Sequence, residues 1–139
     1  MRLSTRSIFP LALVAHAQAA HHTVAVGRGG LKFDPETIEA KVGDTITYTF
    51  FARVKSFTEA WPRVSSTLTF CQNHSVVESS FAEPCQPLSG GIFSGFVPTE
   101  SQDEPSRTTF TIFVDDEKPI WLYCSQTNGN HCQNGMVHA

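Results

Sequence analysis

Ile120-Trp121-Leu122-Tyr123-Cys124 is a strand-like run that opens directly onto the loop Ser125-Gln126-Thr127-Asn128-Gly129-Asn130-His131-Cys132-Gln133-Asn134-Gly135-Met136. Side chains on a strand alternate between its two faces, so Cys124 shares a face with Ile120 and Leu122. If that face is the buried one, the thiol points into the core at the strand's end, shielded from water. The loop then supplies an imidazole at His131, a second thiol at Cys132 and a thioether at Met136. Six residues separate Cys124 from His131, and four separate His131 from Met136.

Outward from this stretch the pattern stays β. Thr109-Phe110-Thr111-Ile112-Phe113-Val114 predicts a strand with Phe110, Ile112 and Val114 inward, followed by the polar turn Asp115-Asp116-Glu117-Lys118-Pro119. Thr45-Ile46-Thr47-Tyr48-Thr49-Phe50 alternates in the same way, with Ile46, Tyr48 and Phe50 on one face and threonines on the other. Thr23 to Val26 is a shorter candidate that ends at Gly27. Apolar and charged residues also alternate in Ile38-Glu39-Ala40-Lys41-Val42, before a Gly43-Asp44 turn. From Phe81 to Pro105 the chain reads as loop, punctuated by Pro84, Pro87, Gly90-Gly91, Gly95 and Pro98. Short strands with Gly and Pro between them, and no convincing long helix, predict an all-β sandwich.

The chain has 139 residues, the size of one domain with one core, and 40% hydrophobic residues including eleven Phe to fill it. Charged residues make up 17% and the net charge is −3, with no basic stripe interleaved with aromatics, so nucleic acid is not expected as a partner. Arg2 and Arg6, the apolar run Ile8 to Ala15, and small residues at Ala15, Ala17, Ala19 and Ala20 predict a secretory signal over residues 1–19, with the domain proper at 20–139. Secretion places the domain where disulfides persist. Cleavage after Ala19 would expose Ala20-His21-His22, whose amine, amides and third-position imidazole form a Cu(II)-chelating sequence of a kind that also arises by chance. No later apolar run reaches membrane-spanning length.

A second imidazole lies far upstream, in Asn73-His74-Ser75-Val76. Two His, one Cys and a Met make the donor set of a blue-copper electron-transfer site. Copper cycling between Cu(I) and Cu(II) favours a soft thiolate, two imidazoles and a weak axial group. Carrying three of these on one loop fixes them relative to one another, and His74 would lock the loop to the sandwich. Singly, each has a plainer explanation: Cys124 buried or disulfide-bonded, His131 on a solvated loop, Met136 in the core, His74 satisfied at a turn. The combination, ordered His, Cys, His, Met, is what points to copper. No enzyme is expected. The chain lacks the His-x-His pairs of a trinuclear copper cluster, and no open zinc site with a general base or nucleophile motif stands out.

His131-Cys132-Gln133-Asn134-Gly135-Met136 resembles the His-Cys-Gln-x-Gly-Met motif of phytocyanins and the related secreted fungal cupredoxins. Val26-Gly27, Gly30-Leu31-Lys32-Phe33-Asp34-Pro35, Val42-Gly43-Asp44, Asn73-His74-Ser75-Val76-Val77, Ser80-Phe81-Ala82-Glu83-Pro84-Cys85, Gly91-Ile92-Phe93-Ser94-Gly95-Phe96 and Pro119-Ile120-Trp121-Leu122-Tyr123-Cys124 also look like the fungal group. The resemblance implies a cupredoxin-like Greek-key β-sandwich. It implies one copper ion held by His74, Cys124 and His131 with Met136 axial, Asn73 supporting the loop near the thiolate, and a Cys85–Cys132 disulfide beside the metal. It implies a secreted, extracellular or wall-associated electron carrier, monomeric, with an unidentified redox partner. The alternative is an extracellular module of the same fold without functional copper. Two features depart from the family. The Cys124–His131 loop is about two residues longer than in phytocyanins, and the final strand is shorter, ending at Val137-His138-Ala139.

Residues 54–72 interrupt the match, and on these pairings Cys71 is left over, a flag in a secreted protein. Every Val codon begins with GT and Gln can be CAG, so Val54 to Gln72 has the ends of a translated intron, whose excision joins Arg53 to Asn73 and removes Cys71; the alternative is a genuine loop with Cys71 free or bridged. Asn73-His74-Ser75 is also the sole N-glycosylation sequon, and a glycan on Asn73 is incompatible with a copper ligand next to it. The mature transcript is expected to lack codons 54–72; finding them in message would refute the intron.

Overall fold

Alternation of apolar and polar residues produces strands wherever it is backed by a facing sheet. The computed structural model describes residues 18–52, 56–57, 68–69, 73–101 and 103–139. It contains β1 (His21–Val26), β2 (Phe33–Asp34), β3 (Thr45–Phe50), β4 (Ser56–Phe57), β5 (Leu68–Thr69), β6 (Val77–Ser79), β7 (Thr109–Phe113), β8 (Trp121–Tyr123) and β9 (Val137–His138), with no helix among the described residues. The first sheet has four strands in the order β2-β1-β3-β7, and the second has three in the order β6-β8-β9. The chain passes from the first sheet to the second after β3, returns for β7 and crosses again to β8. The fold is an all-β, cupredoxin-like Greek-key β-sandwich. Residues 1–17 of the predicted signal segment, Cys71 and most of the 54–72 stretch lie outside the described residues; within that stretch β4 and β5 pair antiparallel.

β3 is the central strand of the first sheet. It runs parallel to β1, from His21 opposite Thr45 to Val26 opposite Phe50, and antiparallel to β7, with Ile46 opposite Ile112. Its inner residues Ile46, Tyr48 and Phe50 are buried as the alternation predicts, and on the outer face Thr47 and Thr111 share a hydroxyl hydrogen bond of 2.8 Å. On β7, Ile112 and the following Val114 are buried while Phe113 is 62% exposed on the outer face.

Two segments differ from the sequence expectation. Ile38 to Val42 alternates but forms no laddered strand. It instead runs beside the C-terminal residue: Ile38 N donates to Ala139 O at 2.9 Å and Ala139 N to Glu36 O at 3.2 Å, while Ile38 and Ala40 pack on the core. β1 begins earlier than Thr23, because Asp44 anchors the residues before it. Asp44 Oδ1 accepts from Ala20 N at 2.7 Å, and Oδ2 lies 2.9 Å from Lys41 N and 3.0 Å from His22 Nε2. These contacts, led by the Lys41 amide and the His22 side chain, hold the Asp44 carboxyl down at about 2.

The core lies between the sheets: Val24 and Val26 of β1, Phe33 of β2, the inner β3 residues, Val76, Val97, Ile112, Leu122, Cys124 and Met136 form one buried cluster. Fully burying a side chain of this size contributes about 1.5–3 kcal/mol. His138 of β9 belongs to this interior as a structural residue. It stacks on Phe33 with centroids 5.4 Å apart, meets Tyr48 edge-on, and sits with Nδ1 2.9 Å from Glu36 O. Burial lowers its pKa, which keeps the ring neutral.

Candidate metal centre

β8 delivers Cys124 to the inner face at the open end of the second sheet. Leu122 and Cys124 belong to the central core, whereas Tyr123 faces the other way, toward Val77 and Cys132. Cys124 is 0% exposed, and its main-chain N–H donates to Met136 O at 3.1 Å. That bond closes the base of the loop from Ser125 to Met136.

Within the loop, His131 N donates to Gln126 O and Met136 N donates to His131 O, each at 3.1 Å. The loop contains a turn in which Asn130 N donates to Thr127 O at 3.0 Å. Asn134 Nδ2 ties this turn down through Gly129 O and Asn130 O at 2.8 and 3.0 Å. Asn130 has a φ of 48°, a left-handed conformation that Asn tolerates better than most residues. Cys132 is bonded to Cys85, 47 residues away, which fastens the loop to the segment after β6. Closing a loop of that size is worth on the order of 4 kcal/mol against the unfolded chain.

His74 comes from the connection that leads into β6. Its backbone forms an antiparallel bridge with Val97, with N–O distances of 3.2 and 2.8 Å. The ring is held by a close approach to Gly27, whose φ is +87°: a Cβ there would sit 2.7 Å from His74 Cδ2 and 2.7 Å from Phe51 O, and closer still to Nε2. Glycine at the end of β1 therefore leaves room for the Nε2 edge of the ring and turns Nδ1 toward the sulfur.

Cys124 Sγ lies 3.8 Å from His74 Nδ1 and 3.3 Å from His131 Nδ1. The two rings are 4.9 Å apart between centroids, and one donor atom from each of His74, Cys124 and His131 falls within 4.8 Å of the others. All three residues are buried. Bonds of about 2.0 Å to nitrogen and about 2.3 Å to sulfur, as in zinc sites, give S···N separations of about 3.5–3.7 Å at tetrahedral to trigonal angles. The spacing observed here fits one metal ion of that kind. Met136 is fully buried in the same cluster as Cys124.

Burial pushes the Cys124 thiol up, and the amides of Gln126 and Ser75 and the Ser75 hydroxyl pull it down. Ser75 is a contact that the sequence reading did not single out. Its N–H points at Cys124 Sγ at 3.4 Å and its Oγ lies 3.9 Å from the sulfur. That hydroxyl is itself tied to Ser125, at 2.9 Å from Oγ and 3.0 Å from N. Asn73 is half-buried and offers its main-chain carbonyl to Gln126 Nε2 at 3.4 Å. The only available signal for Ser75 was adjacency to His74; the sulfur it touches is 49 residues away.

Gly27→Ala is expected to destabilise the metal-free protein by about 2–5 kcal/mol, combining a left-handed backbone penalty with overpacking against His74. Gly29→Ala, at φ +71° with nothing within 4 Å of the added Cβ, is expected to incur only the backbone part, about 1–2 kcal/mol. Urea denaturation of both variants checks this; equal losses would contradict the packing role of Gly27.

No protein-family model matches this chain. It is similar to an "extracellular serine-rich protein" of Arthroderma benhamiae, 35% identical over 136 residues, which covers 96% of this chain and 44% of that protein. It is also similar to a "probable GPI-anchored cupredoxin-1" of the same fungus, 32% identical over 127 residues, covering 91% of this chain and 53% of that protein. The chain thus spans about half the length of the curated relatives it matches. A cupredoxin relative and a buried His–Cys–His cluster together fit copper binding.

Proposed function

We propose that this chain is a secreted mononuclear type 1 copper protein of the cupredoxin family that carries electrons. The observation that carries the reading is the convergence of His74 Nδ1, His131 Nδ1 and Cys124 Sγ at 0% exposure, between two sheets. His74, Cys124 and His131 would hold the ion, and Met136 would be a fourth, weaker donor. The soft thiolate and thioether with two imidazoles select copper over harder ions. Bound copper supplies a one-electron redox couple.

The protein's part is to keep the donors fixed and dry. Gly27 sets the His74 ring, the Cys85–Cys132 bridge and the Asn134 contacts hold the loop, and Ser75 directs an N–H at the sulfur, which moderates its charge. A donor set this enclosed suits electron carriage better than hydrolysis, which needs an open coordination position for water. The extracellular and anchored descriptions of the two relatives support a location outside the cell or at its surface. Among the described residues no helix is long and apolar enough to cross a membrane. We further assign it no catalytic role, a monomeric state and a redox partner of unknown identity.

Adding Cu(II) to the purified protein should produce an intense visible absorption that saturates at one equivalent and is absent in Cys124→Ser. Copper at about 100 times its Kd should stabilise the fold by about 2.7 kcal/mol, read as a rise in Tm. A colourless protein whose melting is indifferent to copper would overturn this reading in favour of a non-redox extracellular module.

A further inference from the structure

Asp44 is a carboxylate with 5% exposure, and such a charge is normally buried only with a partner of opposite sign. Among the described residues no Lys or Arg is paired with it. Its contacts are His22 Nε2, which is cationic only when protonated, and the amides of Lys41 and Ala20. The Ala20 contact is the shortest of these, 2.7 Å from N to Oδ1. Ala20 is also the first described residue joined to the fold: its carbonyl accepts from Thr45 N at 3.0 Å, and β1 begins at the next residue. Gln18 and Ala19 are exposed, and among the described residues no hydrogen bond ties them to the domain.

We propose that Asp44 is the docking site for a processed amino terminus at Ala20. An endoprotease that selects small residues adds one water across the Ala19–Ala20 bond, leaving a carboxylate on Ala19 and an ammonium on Ala20. The nitrogen already lies against Asp44 Oδ1, so cleavage converts a neutral amide contact into an ion pair and supplies the buried carboxylate with a counter-charge at neutral pH. The three N–H groups of the ammonium replace one, and Oδ2 stays with Lys41 and His22. The same arrangement answers the chelate reading of Ala20-His21-His22. The amine and the His22 imidazole are both committed to Asp44, and His21 and His22 lie in register with Thr45 and Ile46 of β3. Wrapping that sequence around Cu(II) would require the start of β1 to leave the sheet.

The proposal rests on residues 1–19 being removed, and on nothing at the metal centre. Its test starts from the 139-residue chain expressed in a secreting eukaryotic host. Intact mass and amino-terminal sequencing should place the first residue at Ala20. That protein should melt several degrees higher than a form released from a fusion partner with Gln18 and Ala19 still attached, and Asp44→Asn should erase the gap. If Asp44→Asn does not fold, acetylating the Ala20 amine of the secreted protein should lower its Tm to that of the longer form. A different first residue would overturn both the processing and the docking. A start at Ala20 with equal melting of the two forms would overturn the docking alone.

Discussion

The Cys124 sulfur, fully buried with an imidazole nitrogen at 3.3 Å and another at 3.8 Å, is the constraint that the rest of the molecule serves. Burial disfavours its thiolate form, and a cation held by the neighbouring imidazoles would reverse that preference. The fold delivers that sulfur through strand parity. β8 places Leu122 and Cys124 on the core side, and the chain then has to turn at once to bring His131 back over the thiol.

Each imidazole reaches the sulfur by a different structural route. His131 is positioned from within its own loop by main-chain hydrogen bonds to Gln126 and Met136, with the neighbouring Cys132 bonded to Cys85. His74 belongs to the crossing between the sheets and is set by the bridge to Val97 and by the missing side chain at Gly27. The first sheet therefore supplies a wall, the second a thiol, and the crossover an imidazole. Ser75 couples the last two, since its amide faces the sulfur and its hydroxyl accepts from Ser125. Distortion of any of these would be felt at the donor atoms, because close-packed interiors transmit small displacements.

Much of this is written locally in the chain. Ile46, Tyr48 and Phe50 on one face of a threonine-rich strand specify β3, and the period-two placement of Cys124 with Leu122 gives the inward thiol. Other features depend on residues far apart in sequence. Nothing near Gly27 announces that His74 will pack on its Cα, and nothing near Ser75 announces Cys124. Ile38 to Val42 has strand-like alternation yet, among the described residues, pairs with Ala139 and not with a strand, because a ladder needs a neighbour as well as a pattern. His138 shows the reverse. It is a buried histidine that stacks on Phe33, apart from the His74–Cys124–His131 cluster.

The central claim is that this cluster is the copper site. A crystal of the copper-loaded protein measured at the copper absorption edge tests it most directly. The expected result is a single strong anomalous peak within bonding distance of His74 Nδ1, His131 Nδ1 and Cys124 Sγ, with Met136 beside it. Copper located elsewhere, for example at His21 and His22, with the Cys124 cluster empty, would contradict it.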